Sequence, residues 1–205
     1  RMEQNCLEQI RHSINHCKNN IAVCEKQIKK CSSASLAILE TKKSAFKDNL
    51  LIWNTMGHIQ MASIEMKEYM KRLSVESIDE WEERDVIKSV YTAIYETSKK
   101  LVDATADIFK FIKHYFPNYD YRAFTDVRKE LCRFRESNTS ELTRVRNTID
   151  AHRDVEVSVQ IEVIEGLHLA NAVQLIVEYE GIINKLGNET SPIKELGLKR
   201  LQACF

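Results

Sequence analysis

The sequence predicts an all-α fold, an elongated antiparallel helical bundle led by a long helical hairpin. Three observations carry that prediction. Apolar residues recur with alternating spacings of three and four over long stretches, which is the helical period. Only five Gly and two Pro punctuate 205 residues, too few for the turns of a sandwich or barrel. Length and a 43% hydrophobic content suffice to bury a sizeable core.

The first helix is read from Leu7, Ile10, Ile14, Cys17, Ile21, Cys24, Ile28 and Cys31, an a/d seam along which another helix can pack. Cys17, Cys24 and Cys31 stand seven apart, about 10 Å along a helix axis, so they neither bridge one another nor share a metal. They are expected to be reduced, small apolar side chains on a buried seam. Ser32, Ser33 and Ser35 interrupt the chain and offer N-cap oxygens. A second helix over 36–73 keeps Ile38, Ala45, Ile52, Ile59, Met66 and Leu73 at intervals of seven. The two helices form either a hairpin or a continuous rod that dimerises, and the serine cluster favours the hairpin.

Ser77-Ile78-Asp79-Glu80 has capping-box spacing and is expected to open a third helix reaching Tyr115. Its inner stripe is Ile87, Val90, Ile94, Leu101, Ile108 and Ile112, and Phe116-Pro117-Asn118 closes it. A fourth helix carries Phe124, Val127, Leu131 and Phe134, flanked by Arg128, Lys129, Arg133 and Arg135. The polar run 137–140 reads as a break before a fifth helix. Residues 155–163 alternate apolar with polar, a strand period; a short helix begun by Asp154 is favoured over an extended segment because a lone strand has no partner. A last helix over 169–186 ends at Gly187, and the tail with Pro192 and Gly197 is expected to be peripheral. The organisation expected is a hairpin over 1–75, a bundle over 76–190 and a tail over 191–205, or one continuous domain.

Thirty basic and thirty acidic residues cancel, so any site for a polyanion must be local. Between Arg122 and Arg153 there are eight basic and five acidic residues, a local excess of three positive charges. No apolar run has membrane-spanning length, and the expected location is the cytoplasm. Gly-rich phosphate loops, nucleophile elbows and HExxH are missing from the sequence, which argues against P-loop, serine-hydrolase and zincin chemistry. Glu8, His12 and His16 share a helix face at zinc-ligand spacing, but a solvated face explains them more simply. His168 reads as a helix junction rather than a catalytic base. Two glycosylation sequons, beginning at Asn138 and Asn188, carry no weight without a secretory signal.

The stretch Arg146-Asn147-Thr148-Ile149-Asp150-Ala151-His152-Arg153 carries the chemistry. An arginine grips a phosphate with a permanent, two-pronged charge, and a histidine of ordinary pKa near 6.5 exchanges protons at neutral pH. Leu142, Val145, Ile149 and His152 fall on one helical stripe, so a core-facing histidine is the simplest structural reading. Arg146 lies off that stripe near Asp150 and Arg153, where a surface ion pair would account for it. Six positions separate Arg146 from His152, which sets them about 120° apart on a helix. One regular helix therefore does not converge the pair.

RNTIDAHRD resembles the signature of the HEPN superfamily, and its wording is similar to bacterial members linked to abortive infection and toxin–antitoxin systems. The resemblance is closest over 141–187 and architectural before that. It implies a helical bundle whose homodimer sets two motifs face to face, supplying what one helix lacks. It further implies a metal-independent endoribonuclease with no cofactor. His152 would be the general base or acid, Arg146 would bind the scissile phosphate, and Asn147 would orient either. Attack by the ribose 2′-hydroxyl would leave a 2′,3′-cyclic phosphate and a 5′-hydroxyl. The implied partners are RNA, a second copy of the chain and a neutralising antitoxin protein, with no DNA and no membrane. The N-terminal seam would extend the dimer or bind that antitoxin. The rival readings are a non-catalytic helical interaction protein using the same motif for packing, and a coiled-coil scaffold resting on the heptads from Leu7 to Cys31.

Overall fold

The computed structural model describes residues 2–32, 37–75, 78–148 and 156–204. They form seven helices: α1 (Met2–Ser32), α2 (Ala37–Leu73), α3 (Glu80–Tyr115), α4 (Arg122–Arg146), α5 (Val157–Glu165), α6 (Leu169–Thr190) and α7 (Ile193–Gln202). The described residues include no strand.

α1 and α2 form the expected hairpin. Arg11 reaches Glu68, the His16 ring sits edge-on to Trp53 at 5.2 Å, and Cys17 faces Gly57, an antiparallel register. Cys17, Cys24 and Cys31 are buried free thiols on this seam. Ala45, Ile52, Ile59, Met66 and Leu73 are buried as the seven-residue spacing required, whereas Ile38, at the start of α2, is exposed. Ser33 and Ser35 lie outside the described residues.

α2, α3, α4 and α6 close an antiparallel four-helix ring, each packed against the next. Cross-links between side chains fix the directions. Arg146 of α4 meets Glu96 of α3 near one end, while Arg128 meets Phe109 towards the other. Phe134 stacks on Tyr179 at 5.4 Å, and Lys67 of α2 pairs with Glu180 of α6. The α3 stripe is the centre of the core: Ile87, Val90, Ile94, Leu101, Ile108 and Ile112 are each 0% exposed. Each such side chain contributes roughly 1.5–3 kcal/mol relative to exposure. Short loops join antiparallel neighbours, which is the economical way to bury one stripe per helix.

Four expectations need correction. The α3 cap is Asp79, whose side chain accepts from the Trp81 N–H; Glu80 becomes the first helical residue and pairs with Arg84 instead of closing a box. Ser77 lies outside the described residues. The run 137–140 does not break α4, because Asn138 donates to the Phe134 carbonyl and Thr139 to the Arg135 carbonyl, so these polar side chains bond back into the helix. Gly187 does not end α6; it is a close-approach point, where a Cβ would meet Ile59 Cγ2 at 3.4 Å. The tail is not peripheral either: α7 docks on α2 with Ile193 and Leu196 buried, and Asn49 Nδ2 donates to the Gly197 carbonyl at 2.9 Å.

The alternating segment is helical from Val157, with Glu156 at the N-cap position but making no side-chain cap bond, and Asp154 lies outside the described residues. On α5 that alternation leaves Val157, Val159 and Ile161 at 68%, 40% and 39% exposure, with Val163 turned inward. Asp79 at the N-terminus of α3 and the Phe116 turn at its C-terminus set the length of the helix against which the motif-bearing end of α4 rests.

Candidate functional site

Arg146 is the last residue of α4, and Asn147 continues its right-handed course, its N–H bonded to the carbonyls of Arg144 and Thr143. Leu142 and Val145, at 1% and 0% exposure, hold this end of the helix against the core. The remaining members of their stripe, Ile149 and His152, lie outside the described residues, as do Asp150 and Arg153. The structure therefore fixes two of the three expected site residues, Arg146 and Asn147.

Arg146 is half-buried and held on three sides. Its Nε donates to Glu96 Oε1 at 3.2 Å, its Nη1 donates to Asn147 Oδ1 at 3.1 Å, and its Cζ sits 5.5 Å from the centre of the Tyr95 ring. Arg146 forms an ion pair with Glu96 of α3, while the expected neighbours Asp150 and Arg153 lie outside the described residues. Charge-assisted bonding to Glu96 and the face of Tyr95 both restrict the guanidinium's orientation. Among the described residues these bonds use Nε and Nη1.

Glu96 and Tyr95 were not legible as site residues, since they stand 50 and 51 positions before Arg146 on a different helix. A second guanidinium, that of Arg135, lies 5.9 Å from the same Tyr95 ring. Its place on the flank of α4 was legible, its convergence on Tyr95 was not.

Two clefts border this end of the bundle. Glu96 lines one of about 330 Å³ together with Tyr69, Lys88, Ser89 and Thr92. Asn138, Glu141, Asn171, Gln174 and Glu178 line another of about 150 Å³, at whose base the buried Tyr91 hydroxyl donates to Glu141 at 3.2 Å. Burial, and then the Glu141 charge, push the Tyr91 hydroxyl well above its ordinary pKa, so it serves as a fixed donor rather than an acid.

The other chemistry-bearing residues resolve simply. Glu8, His12 and His16 are exposed on α1, with Asn20 Nδ2 at 3.4 Å from His16 Nε2. His168 is the N-terminal cap residue of α6, in extended backbone geometry, a helix junction as expected. Among the described residues no helix is long and apolar enough to cross a membrane, and no cluster of three or more His, Cys, Asp or Glu side chains is placed to hold a metal ion.

The chain matches no family model, no curated protein and no solved structure.

Proposed function

We propose that the chain is a HEPN-like, metal-independent endoribonuclease of bacterial defence or toxin–antitoxin type, with its site completed by a second copy of the chain. The observation that carries this reading is the held guanidinium of Arg146, braced by Glu96 and Tyr95 and joined to Asn147. A preset cation at the place where phosphorane charge develops acts without reorganising during the reaction, and such electrostatic stabilisation is usually a large catalytic contribution. Asn147 orients the guanidinium directly through its side-chain carbonyl. His152 supplies the proton transfer in this reading, which the RNxxxxH resemblance supports.

The dimer has its own support. Val157, Val159 and Ile161 project outward from α5 shortly after the motif. Val157 and Ile161, four apart, share one face of the helix while Val159 stands about 160° away, and an exposed apolar pair of this kind fits an interface between copies. The same face favours the second reading, a non-catalytic dimerisation module in which the motif only packs. An antitoxin protein belongs to the first reading as its neutralising partner.

Incubation with structured RNA in EDTA, with Arg146→Ala and His152→Ala run alongside, separates the two. The nuclease reading expects cleavage by the wild type, a 2′,3′-cyclic phosphate end, and a loss of roughly two to four orders of magnitude in either variant. Cleavage that neither substitution alters sinks the site. Variants that change only self-association, with no cleavage by any form, favour the dimerisation module.

A further inference from the structure

One cavity is walled by four helices at once. It measures about 270 Å³ and lies where Ser13 of α1, Gln60 and Ser63 of α2, Asn184 and Asn188 of α6 and Lys194 of α7 come together. Three buried apolar side chains, Met56, Ile59 and Ile183, complete the lining. It is distant from the motif. Lys185 of α6 pairs with Glu130 of α4, which stands 16 residues before Arg146, about 24 Å along the helix axis.

The polar side chains of this lining are unengaged. None of Ser13, Gln60, Ser63, Asn184 and Asn188 makes a side-chain hydrogen bond to another described residue. Ser63 is the sharpest case. It is 5% exposed, yet its hydroxyl has no partner, whereas the buried hydroxyls of Thr55, Ser98 and Thr105 each bond to a carbonyl of their own helix. Thr190 Oγ1 is also unbonded but is sealed from solvent, while Ser63 Oγ is reachable from the cavity that Ser63 lines. A buried hydroxyl without a partner costs free energy that a ligand's polar group can recover. Lys194 is the charged side chain of the lining. Its ammonium sits 5.7 Å from the centre of the Trp53 ring and forms no salt bridge among the described residues. The ring takes one side of a group that carries three donors.

We infer that this cavity binds a monosaccharide bearing one anionic group, a sugar phosphate or a sugar acid. Sugar hydroxyls both donate and accept, which matches a lining of neutral amides and hydroxyls whose donors and acceptors are mixed. The carbon face of the ring covers Met56, Ile59 and Ile183. The anion answers Lys194, which no carboxylate of the lining neutralises. Other occupants fit less of the site. An apolar molecule would strand the Ser63 hydroxyl and the ammonium, a bare phosphate would leave the amides and the apolar surface idle, and a polyanion would meet a single cation. The volume lies just under the range of about 300–1,000 Å³ that takes drug-sized ligands, so it suits one ring with its substituent. The inference stands apart from the nuclease reading, because it uses none of that site's residues.

The test is isothermal titration calorimetry of the full chain with glucose 6-phosphate, ribose 5-phosphate and glucuronate, and with glucose and inorganic phosphate on their own. At least one of the three anionic sugars should bind with a Kd of about 1 mM or tighter, at least about tenfold tighter than glucose or phosphate alone. The first two probes against the third distinguish a phosphate from a carboxylate as the anion. Lys194→Gln should weaken the bound sugar about 10- to 100-fold, and Ser63→Ala about 2- to 10-fold. Ser63→Ala should keep the wild-type urea midpoint or raise it, since that hydroxyl has no protein partner to lose. Lys185→Gln, on the side of α6 that meets α4, should bind as the wild type does. The inference is overturned if none of the anionic sugars binds, if glucose or phosphate alone binds as tightly as they do, or if a folded Lys194→Gln binds like the wild type. A Ser63→Ala variant that keeps full affinity, or that unfolds at lower urea, overturns it as well.

Discussion

Arg200 shows how a single side chain ties the C-terminal helix to the bundle. Its Cζ lies 4.3 Å from the centre of the Tyr115 ring, its Nη1 donates to Cys204 Sγ at 3.2 Å, and its Nε stands 3.8 Å from Asp48 Oδ2. At that separation the Asp48 pair is Coulombic rather than hydrogen-bonded, and both atoms lack hydrogen-bond partners among the described residues. Burial pushes the Asp48 carboxyl above its ordinary value of 3.8, and Arg200 and His114 pull it partly back. A carboxyl whose folded pKa exceeds its unfolded one contributes stability that is fully present below the unfolded value and is lost as pH rises through the folded value. Asp48→Asn removes this titration. Its urea midpoint relative to wild type should rise as pH increases from about 3 to about 7; a gap that shrinks with pH would contradict the assignment.

The helices themselves divide into what periodicity reveals and what it conceals. The core stripe of α3 was legible residue by residue, because one face of a long helix must repeat at the helical period and all six residues proved buried. The hairpin was legible for the same reason in α1 and α2. Element ends were less so. Polar residues at 137–140 look like a break only when their side chains are assumed to face solvent; Asn138 and Thr139 instead bond to carbonyls one turn back. Gly187 and Gly197 look like punctuation, yet each marks a place where α6 or α7 comes close to α2. Of the candidate site, Arg146 and Asn147 were singled out from local wording, while the contacts of Arg146 with Tyr95 and Glu96 depend on how α3 packs beside α4.

Glycine substitutions test this helix-level account. At Gly197 a Cβ would lie 2.7 Å from Asn49 Oδ1 and 2.9 Å from Ile52 Cδ1, so Gly197→Ala should destabilise by about 1–3 kcal/mol. At Gly181, exposed and inside α6, a Cβ meets nothing within 4 Å, and Gly181→Ala should stabilise by about 0.5–1 kcal/mol. Chemical denaturation of both variants checks the contrast. Equal effects would mean that α7 does not dock on α2 through Gly197.

At the scale of the whole molecule, an antiparallel ring of α2, α3, α4 and α6 places the end of α4 against α3, so that a residue from each helix fixes one guanidinium. α1 and α7 buttress α2, and α5 leaves three apolar side chains exposed shortly after the motif. Helix geometry sets Arg146 and His152 about 120° apart on a regular helix, which is the reason the proposed site calls on two chains. The central claim is that the site is shared between copies.

Mixing the two inactive variants tests that claim most directly. Arg146→Ala and His152→Ala are unfolded together, refolded together, and assayed on structured RNA in EDTA beside each variant alone. A mixed dimer holds one intact Arg146 and one intact His152 on different chains. The account predicts that the mixture regains cleavage that neither variant shows alone, leaving a 2′,3′-cyclic phosphate. A mixture as silent as its components, under conditions where the wild type cleaves and dimers form, would contradict it.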